Sequence, residues 1–268
     1  MMSQSTLHDW RTPVSPRSLA LWLLSASAPA PLTASSLIER AAIFEIEGSA
    51  VRVALGRLVR EGMAVQPDRG VYALGPAAAA LHAKARGWMR VEEAVRPWGG
   101  AWLLVLTHPL GRTDRARLQR RERALRLSGF AHPGGGIWVR ADNLAQDTAT
   151  LRDTLAGLGL DGEAPLLSGC LAEPAQDAAW RDLWPACALE AGYDHWLAEM
   201  VASTDRLAHM TTKDAARETY LLGQSVLRAI NSDPLLPAEL VDIGRRRAMV
   251  AAMRRYNAMA LEHWGRIG

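Results

Sequence analysis

Residues 47–62 read EGSAVRVALGRLVREG. An α-helix turns about 100° per residue, so with Val51 at zero Leu55 falls near about +40° and Leu58 near about −20°. These three form one apolar seam. Ser49, Val53, Gly56 and Arg60 gather on the opposite side, flanked by Arg52 and Arg57. The outward side is small in its first two turns and cationic at its edges. Gly56 in a helix interior costs about 1 kcal/mol relative to Ala. A close approach of the backbone to DNA, or to another helix, would explain why it is tolerated.

The flanking sequence sets the context. SPRSLALWLLSAS (15–27) carries Pro16 near a helix start and an apolar face at Leu19, Trp22 and Leu23, with Leu24 adjoining. APAPL (28–32) stops it. TASSLIERAAIF (33–44) restarts a helix with Thr33 as N-cap. After Gly62, MAVQPDRGVYALGP predicts strands at Met63–Val65 and Val71–Leu74 around a turn holding Pro67, Asp68 and Gly70. Helix, helix, turn, helix, hairpin is the order of a winged helix-turn-helix.

That layout suits a recognition helix, whose N-terminal residues must reach base edges. Arg52 can make two parallel hydrogen bonds to guanine, and Val53 can pack on a thymine methyl. Arg57 and Arg60 suit phosphates, which position without specifying. Arg69, at the hairpin tip, can enter a minor groove or hold a phosphate. The DNA-binding residues expected are thus Ser49, Arg52, Val53, Gly56, Arg57, Arg60 and Arg69. A lone Arg-bearing helix is more often a solvated face; the helix before it and the hairpin after it reverse that balance.

Farther along, AAAALHAKARGWMRVEEAVRPWGG (77–100) predicts a helix and a linker. A second module follows: strand AWLLVLTHP, an Arg-rich helix near Thr113–Leu127, hairpin GFAHPGGGIWVR, helix NLAQDTATLRDTLAGLGL and strand APLLSGCL. This βαββαβ order predicts a ferredoxin-like module. The remainder is helical, broken by DPLLPAEL (233–240). The expected fold is α+β and multi-domain. It comprises a winged helix-turn-helix at 15–78, a helix and linker at 79–99, a ferredoxin-like domain at 100–171 and a helical C-terminal domain at 172–268.

The 268-residue chain has a formal charge of +3, and the basic bias lies toward its front. Residues 1–100 carry 11 Lys and Arg against 8 Asp and Glu, whereas residues 171–268 carry 11 against 13. This permits nucleic-acid binding without establishing it. Cys170 and Cys187 form no C-x-x-C pair, which fits a reducing cytoplasm and argues against a zinc knuckle. RSLALWLLSASAPAP (17–31) mimics a secretory signal, but its apolar run is too short and Asp9 lies upstream. No 18-residue apolar stretch predicts a membrane span.

Other constellations are weaker. The arginines at 112, 115, 117, 120, 121, 123 and 126 could bind phosphate, of DNA or of a CoA tail; a solvated helix face is preferred. HPGGGIW lacks the Gly-Lys-Ser/Thr ending of a nucleotide loop and reads as a hairpin turn needing positive φ. A metal-dependent nuclease needs a carboxylate near the end of the module's first strand, and that strand ends in LTHP, with Asp114 past the turn. The scattered histidines predict no metal site. Ser168-Gly169-Cys170 is no nucleophile elbow. The two cysteines read as buried and inert, and Trp180, Trp184, Trp196 and Trp264 as core.

The chain resembles the PaaX-type repressors of phenylacetate catabolism over about residues 15–265. The resemblance rests on Ser49, Val51, Arg52, Arg57, Leu58, Glu61 and Gly62 in the first motif. Trp98, Trp102, Gly129, Phe130, Gly135 and Trp138 carry it in the middle, and Arg228, Asp233, Pro234, Leu236 and Pro237 near the end. The family usually has a Trp-Pro-Gly-like stretch where this chain has Ile243-Gly244-Arg245, and a more polar and aromatic run where it has LGQSV before Arg228. The resemblance implies a homodimeric bacterial repressor, non-enzymatic and without a resident cofactor. It binds a palindromic double-stranded operator and is released by an aryl-acetyl-CoA effector, phenylacetyl-CoA in the founding members. A CoA-ester enzyme or binding protein without regulatory DNA binding is the alternative; it requires a catalytic constellation, and none is visible. An architectural DNA binder without ligand is a third.

Overall fold

The computed structural model describes residues 13–78, 86–111 and 113–267. It is a mixed helix-and-sheet protein with two small antiparallel sheets. Two compact units emerge: Met1–Met89 with Ala198–Leu227 and Ala251–Gly268, and Arg90–Leu197 with Arg228–Val250.

The first unit begins with α1 (Pro16–Ser27), capped by the Ser15 hydroxyl, which accepts from Ser18 N at 3.1 Å. Leu19, Ala20, Leu23 and Leu24 are its buried face. Strand β1 (Leu32–Thr33) leads into α2 (Ala34–Ala42), where Thr33 accepts from Ser36 N at 3.2 Å. The end of α2 closes through Glu45 N to Ala42 O and Ile46 N to Ala41 O, the paired bonds of a left-handed helix stop. Glu45 holds φ 59° there, where glycine is the usual choice. Helix α3 (Gly48–Arg60) follows, burying Val51, Ala54, Leu55 and Leu58. A Cβ on Gly48 would sit 3.2 Å from Ile38, so α2 and α3 pack tightly at that point.

Strands β2 (Ala64–Asp68) and β3 (Val71–Leu74) form a hairpin, and β1 pairs with the other edge of β3. The sequence reading ended the first strand at Val65 and omitted β1. Pro67 lies within β2 because β2 is an edge strand, where a missing N–H costs no ladder bond. Two-residue β1 is too short for a period-2 pattern. Gly75 is demanded by contact: its Cβ would lie 2.2 Å from the Gly62 carbonyl oxygen.

An aromatic cluster finishes this core. Trp22 meets Tyr220 at 4.9 Å and Trp264 at 5.1 Å, and Phe44 meets Tyr220 at 5.1 Å. Tyr220 lies on α8 (Thr212–Asn231) and Trp264 on α9 (Ile243–Gly265). Helix α7 (Ala186–Leu207) precedes them. Each of these three helices is shared between the two units. The residues from 172 onward are therefore divided between two cores rather than gathered in a helical block of their own. The helix and linker expected at 79–99 lies partly outside the described residues; Arg86–Ala94 forms 3-10 turns with a kink at Arg90.

The second unit holds β4 (Trp102–Leu106), α4 (Arg115–Leu127), β5 (Ala131–Gly134), β6 (Ile137–Ala141), α5 (Thr148–Leu158) and β7 (Leu166–Cys170). Its sheet runs β5-β6-β4-β7, antiparallel throughout. Alternation along β4 sends Leu103 and Val105 into a core with Leu125, Phe130, Trp138 and Leu155. Trp102 turns the other way, onto Trp98 and Trp180. Trp180 ends α6 (Pro174–Arg181), and the Trp102 indole donates to Asp177 Oδ1 at 2.8 Å. Trp180 and Trp264 are buried, Trp184 and Trp196 half-buried.

The Arg-rich helix α4 is not simply solvated. Arg115, Arg120 and Arg123 are exposed, but Arg121 has a side chain only 2% exposed and pairs with Asp161, which Arg117 also reaches. Arg126 lies over the Trp138 ring at 5.1 Å. Arg112 lies outside the described residues. The buried arginine was unreadable because its partner is 40 residues away.

DPLLP is explained by a second polar network. Asp233 accepts from Leu235 N at 2.7 Å and from the Tyr193 hydroxyl at 2.6 Å. Asn143 donates to Leu235 O at 2.8 Å, and Arg246 to Leu236 O at 2.9 Å and to Glu92 at 3.2 Å. Burial pushes the Tyr193 hydroxyl far up, reinforced by Asp233. Burial lowers the Arg140 guanidinium to about 10, against the pull of Asp142 and Asp233. No helix among the described residues is long and apolar enough to cross a membrane.

Burial raises the Asp161 carboxyl, but the hydrogen bonds from Arg121 and Arg117 outweigh it and leave it below its usual value. A carboxyl depressed by folding adds stability above its unfolded value, and that stability is lost as pH falls through the folded value. Wild-type stability is therefore expected to drop below about pH 4. Asp161→Asn should cost about 3 kcal/mol near neutrality, by leaving buried Arg121 unpaired, and should flatten the acid drop. Urea unfolding as a function of pH measures both.

Candidate nucleic-acid interface

The seam of α3 fixes its rotation. Val51, Leu55 and Leu58 are buried, so the residues opposite them must face out. Ser49, Arg52, Val53, Gly56, Arg57 and Arg60 are all exposed, Val53 at 56%. Nothing lies within 4 Å of where a Cβ on Gly56 would be. Close helix packing therefore does not account for Gly56 among the described residues.

The cations of this face are unneutralised. Among the described residues, no carboxylate lies within ion-pairing distance of Arg52, Arg57, Arg60 or Arg69. Arg60 Nε donates back to Gly56 O at 3.3 Å, keeping its head along the helix. Arg69 is exposed in the β2–β3 turn, where its backbone N donates to Asp68 at 2.6 Å and Gly70 holds φ 73°. Elsewhere in the unit, Arg17 is paired with Glu61 at 2.6 Å.

Beside α3 runs a groove of about 580 Å³ against the start of α1. Ser49, Val53 and Arg57 line it from α3, and Ser15, Pro16 and Arg17 from α1. The structure thus brings three of the expected residues onto one concavity. Arg52, Gly56 and Arg60 are exposed on α3 without lining it, and Arg69 is on the hairpin. Sequence reasoning missed Ser15 and Arg17 because a helical wheel shows one helix and no neighbour. The cap signature SPRS, which puts both in the first turn of α1, was the available signal.

Other groups stand as follows. Gly134, Gly135 and Gly136 hold φ 118°, 62° and 71°, as a glycine turn in HPGGGIW requires. Among the described residues no group of three or more His, Cys, Asp or Glu converges to hold a metal. Cys187 is exposed rather than buried, and Cys170 is half-buried, its thiol raised by burial and by Asp142. Cys187 lies in the first turn of α7, two residues after Pro185.

No family model matches the chain, and no curated protein matches it. A solved structure does: the uncharacterized protein Rv0674 from Mycobacterium tuberculosis, 26% identical, with a TM-score of 0.62. The match covers 92% of this chain and 98% of that one, so it spans both units and both sheets.

A methyl group at position 56 meets only open space. Gly56→Ala is therefore expected to raise stability by about 0.5–1 kcal/mol. Leu55→Ala, in the seam, should lower it by about 3 kcal/mol. Thermal and urea unfolding of the two variants check the assignment of faces.

Proposed function

We propose that this protein is a DNA-binding transcriptional regulator of the PaaX type, in which α1 to β3 act as a winged helix-turn-helix. Helix α3 enters the major groove and the β2–β3 hairpin is the wing. The observation that carries this reading is the exposed Ser49–Arg60 face, small where a base edge must approach and edged by uncompensated arginines. A cation on a surface helix keeps its full attraction for phosphate where no carboxylate competes, as holds for these arginines among the described residues. The groove beside α3 places Arg17, paired with Glu61, and the capped start of α1 next to Arg57.

In this reading β4 to β7 form a ferredoxin-like module that pairs two copies of the chain. A two-fold dimer presents its two α3 helices about 34–36 Å apart, or at a multiple, on a palindromic operator. Release of DNA follows when an acyl-CoA effector, of which phenylacetyl-CoA is the expected member, binds the mismatched state more tightly.

Selection of genomic fragments on the purified protein, followed by titration of the enriched duplex, tests the proposal. Arg52→Ala is expected to cost about 1–3 kcal/mol and to relax preference at one base pair per half-site. Arg60→Ala is expected to weaken all sequences alike and reduce the salt slope by about one per subunit. Equal recovery of random fragments, with neither variant altering affinity, would remove the DNA-reading role.

A further inference from the structure

A second cavity of the first unit, about 650 Å³, opens between the start of α1, the α2–α3 turn and the start of α8. Its apolar walls are Val14, Phe44, Met210 and Leu221. Its polar walls are His209, Asp214, Arg217 and Glu218. The volume lies within the range of small-molecule sites.

The state of the polar groups decides what it can hold. Glu218 already accepts from Ser203 at 2.9 Å and from Arg206 at 2.5 Å. Asp214 accepts from the Thr211 hydroxyl at 2.7 Å. Glu218 is thus ion-paired with Arg206, and Asp214 caps the turn through Thr211. Among the described residues Arg217 has only a loose partner, Glu45 at 3.7 Å, with the two side chains 47% and 86% exposed. Such a pair is weak and readily exchanged. The unspent recognition chemistry is cationic, set against an apolar wall.

We propose that this cavity binds a small amphipathic monocarboxylate. Its carboxylate takes the Arg217 guanidinium in place of Glu45, and its apolar body packs on Phe44 and Leu221. Glu45 is the residue at φ 59° that ends α2, two positions before the Glu47 N-cap of α3. A non-glycine residue is disfavoured in that conformation, and the pair with Arg217 is an interaction glycine could not supply. Displacing Glu45 removes that interaction from the turn that leads into α3. The cavity thereby couples to the exposed face of α3; this coupling, unlike the binding itself, rests on the DNA-reading proposal.

Calorimetric titration of the full chain with benzoate and octanoate, against benzamide and octanamide, is the test. At least one carboxylate is expected to saturate below about 1 mM, with its amide about tenfold weaker or more. Arg217→Ala should weaken the carboxylate about tenfold. Glu45→Gln should tighten it severalfold, because the internal competitor is gone; a variant with impaired folding would not gain affinity. Amides binding as well as carboxylates, no saturation by either carboxylate, or unchanged affinity in both variants overturns the site. With enriched DNA present, the carboxylate should weaken the complex in wild type and less in Arg217→Ala, by reciprocal linkage. Carboxylate binding without any DNA binding leaves the cavity standing and removes the DNA reading. DNA binding without carboxylate binding removes the cavity alone. Binding of both with no mutual effect overturns the coupling.

Discussion

The structure of the first unit depends on one constraint, the burial of the α3 seam. Val51, Leu55 and Leu58 pack against α1 and α2 in a core that also takes Leu19, Leu23 and Leu37. Burying side chains of this size contributes about 1.5–3 kcal/mol each relative to exposure. Rotating α3 by one residue would withdraw several of them at once. No comparable force acts on the other side of the helix. Among the described residues the arginines there make no ion pair, so their exposure follows from the seam.

The core that holds α3 is completed by chain far away in sequence. Trp22, Phe44, Tyr220 and Trp264 form edge-to-face and stacked contacts, an arrangement that aromatic quadrupoles favour. Phe44 belongs to the turn that launches α3, and it also walls the cavity containing Arg217. The same short segment is therefore tied to the core on one side and lines a cavity on the other. Its left-handed residue is Glu45, where chain sterics favour glycine.

The second unit solves a different problem. Its sheet has apolar residues on both faces, so it must be covered twice: by α4 and α5 on one face, and by the tryptophan group around Trp102 on the other. Its loops are held by buried polar groups, with Arg121 and Asp161 at one site and Arg246, Asp233 and Tyr193 at another. Buried charges of this kind are tolerated only where partners converge. They account for arginines that composition alone would assign to solvent.

The sequence by itself determined the local elements. The caps at Ser15 and Thr33, the seam of α3, the hairpin turn at Gly70 and the βαββαβ order were all legible, because capping, periodicity and turn chemistry act over a few residues. The outward set on α3 was legible for the same reason: it is the complement of a periodic seam. Short-range rules could not reach β1, the path of β2 through Pro67, the burial of Arg121, the groove shared by Arg17 and Arg57, or the cavity joining Phe44 to Arg217. Nor could they show that α7, α8 and α9 each serve two cores. These were decided by tertiary structure, because each rests on residues distant in sequence or on the place of a strand in its sheet. Which distant partners meet is set by the packing of whole faces, not by local pattern.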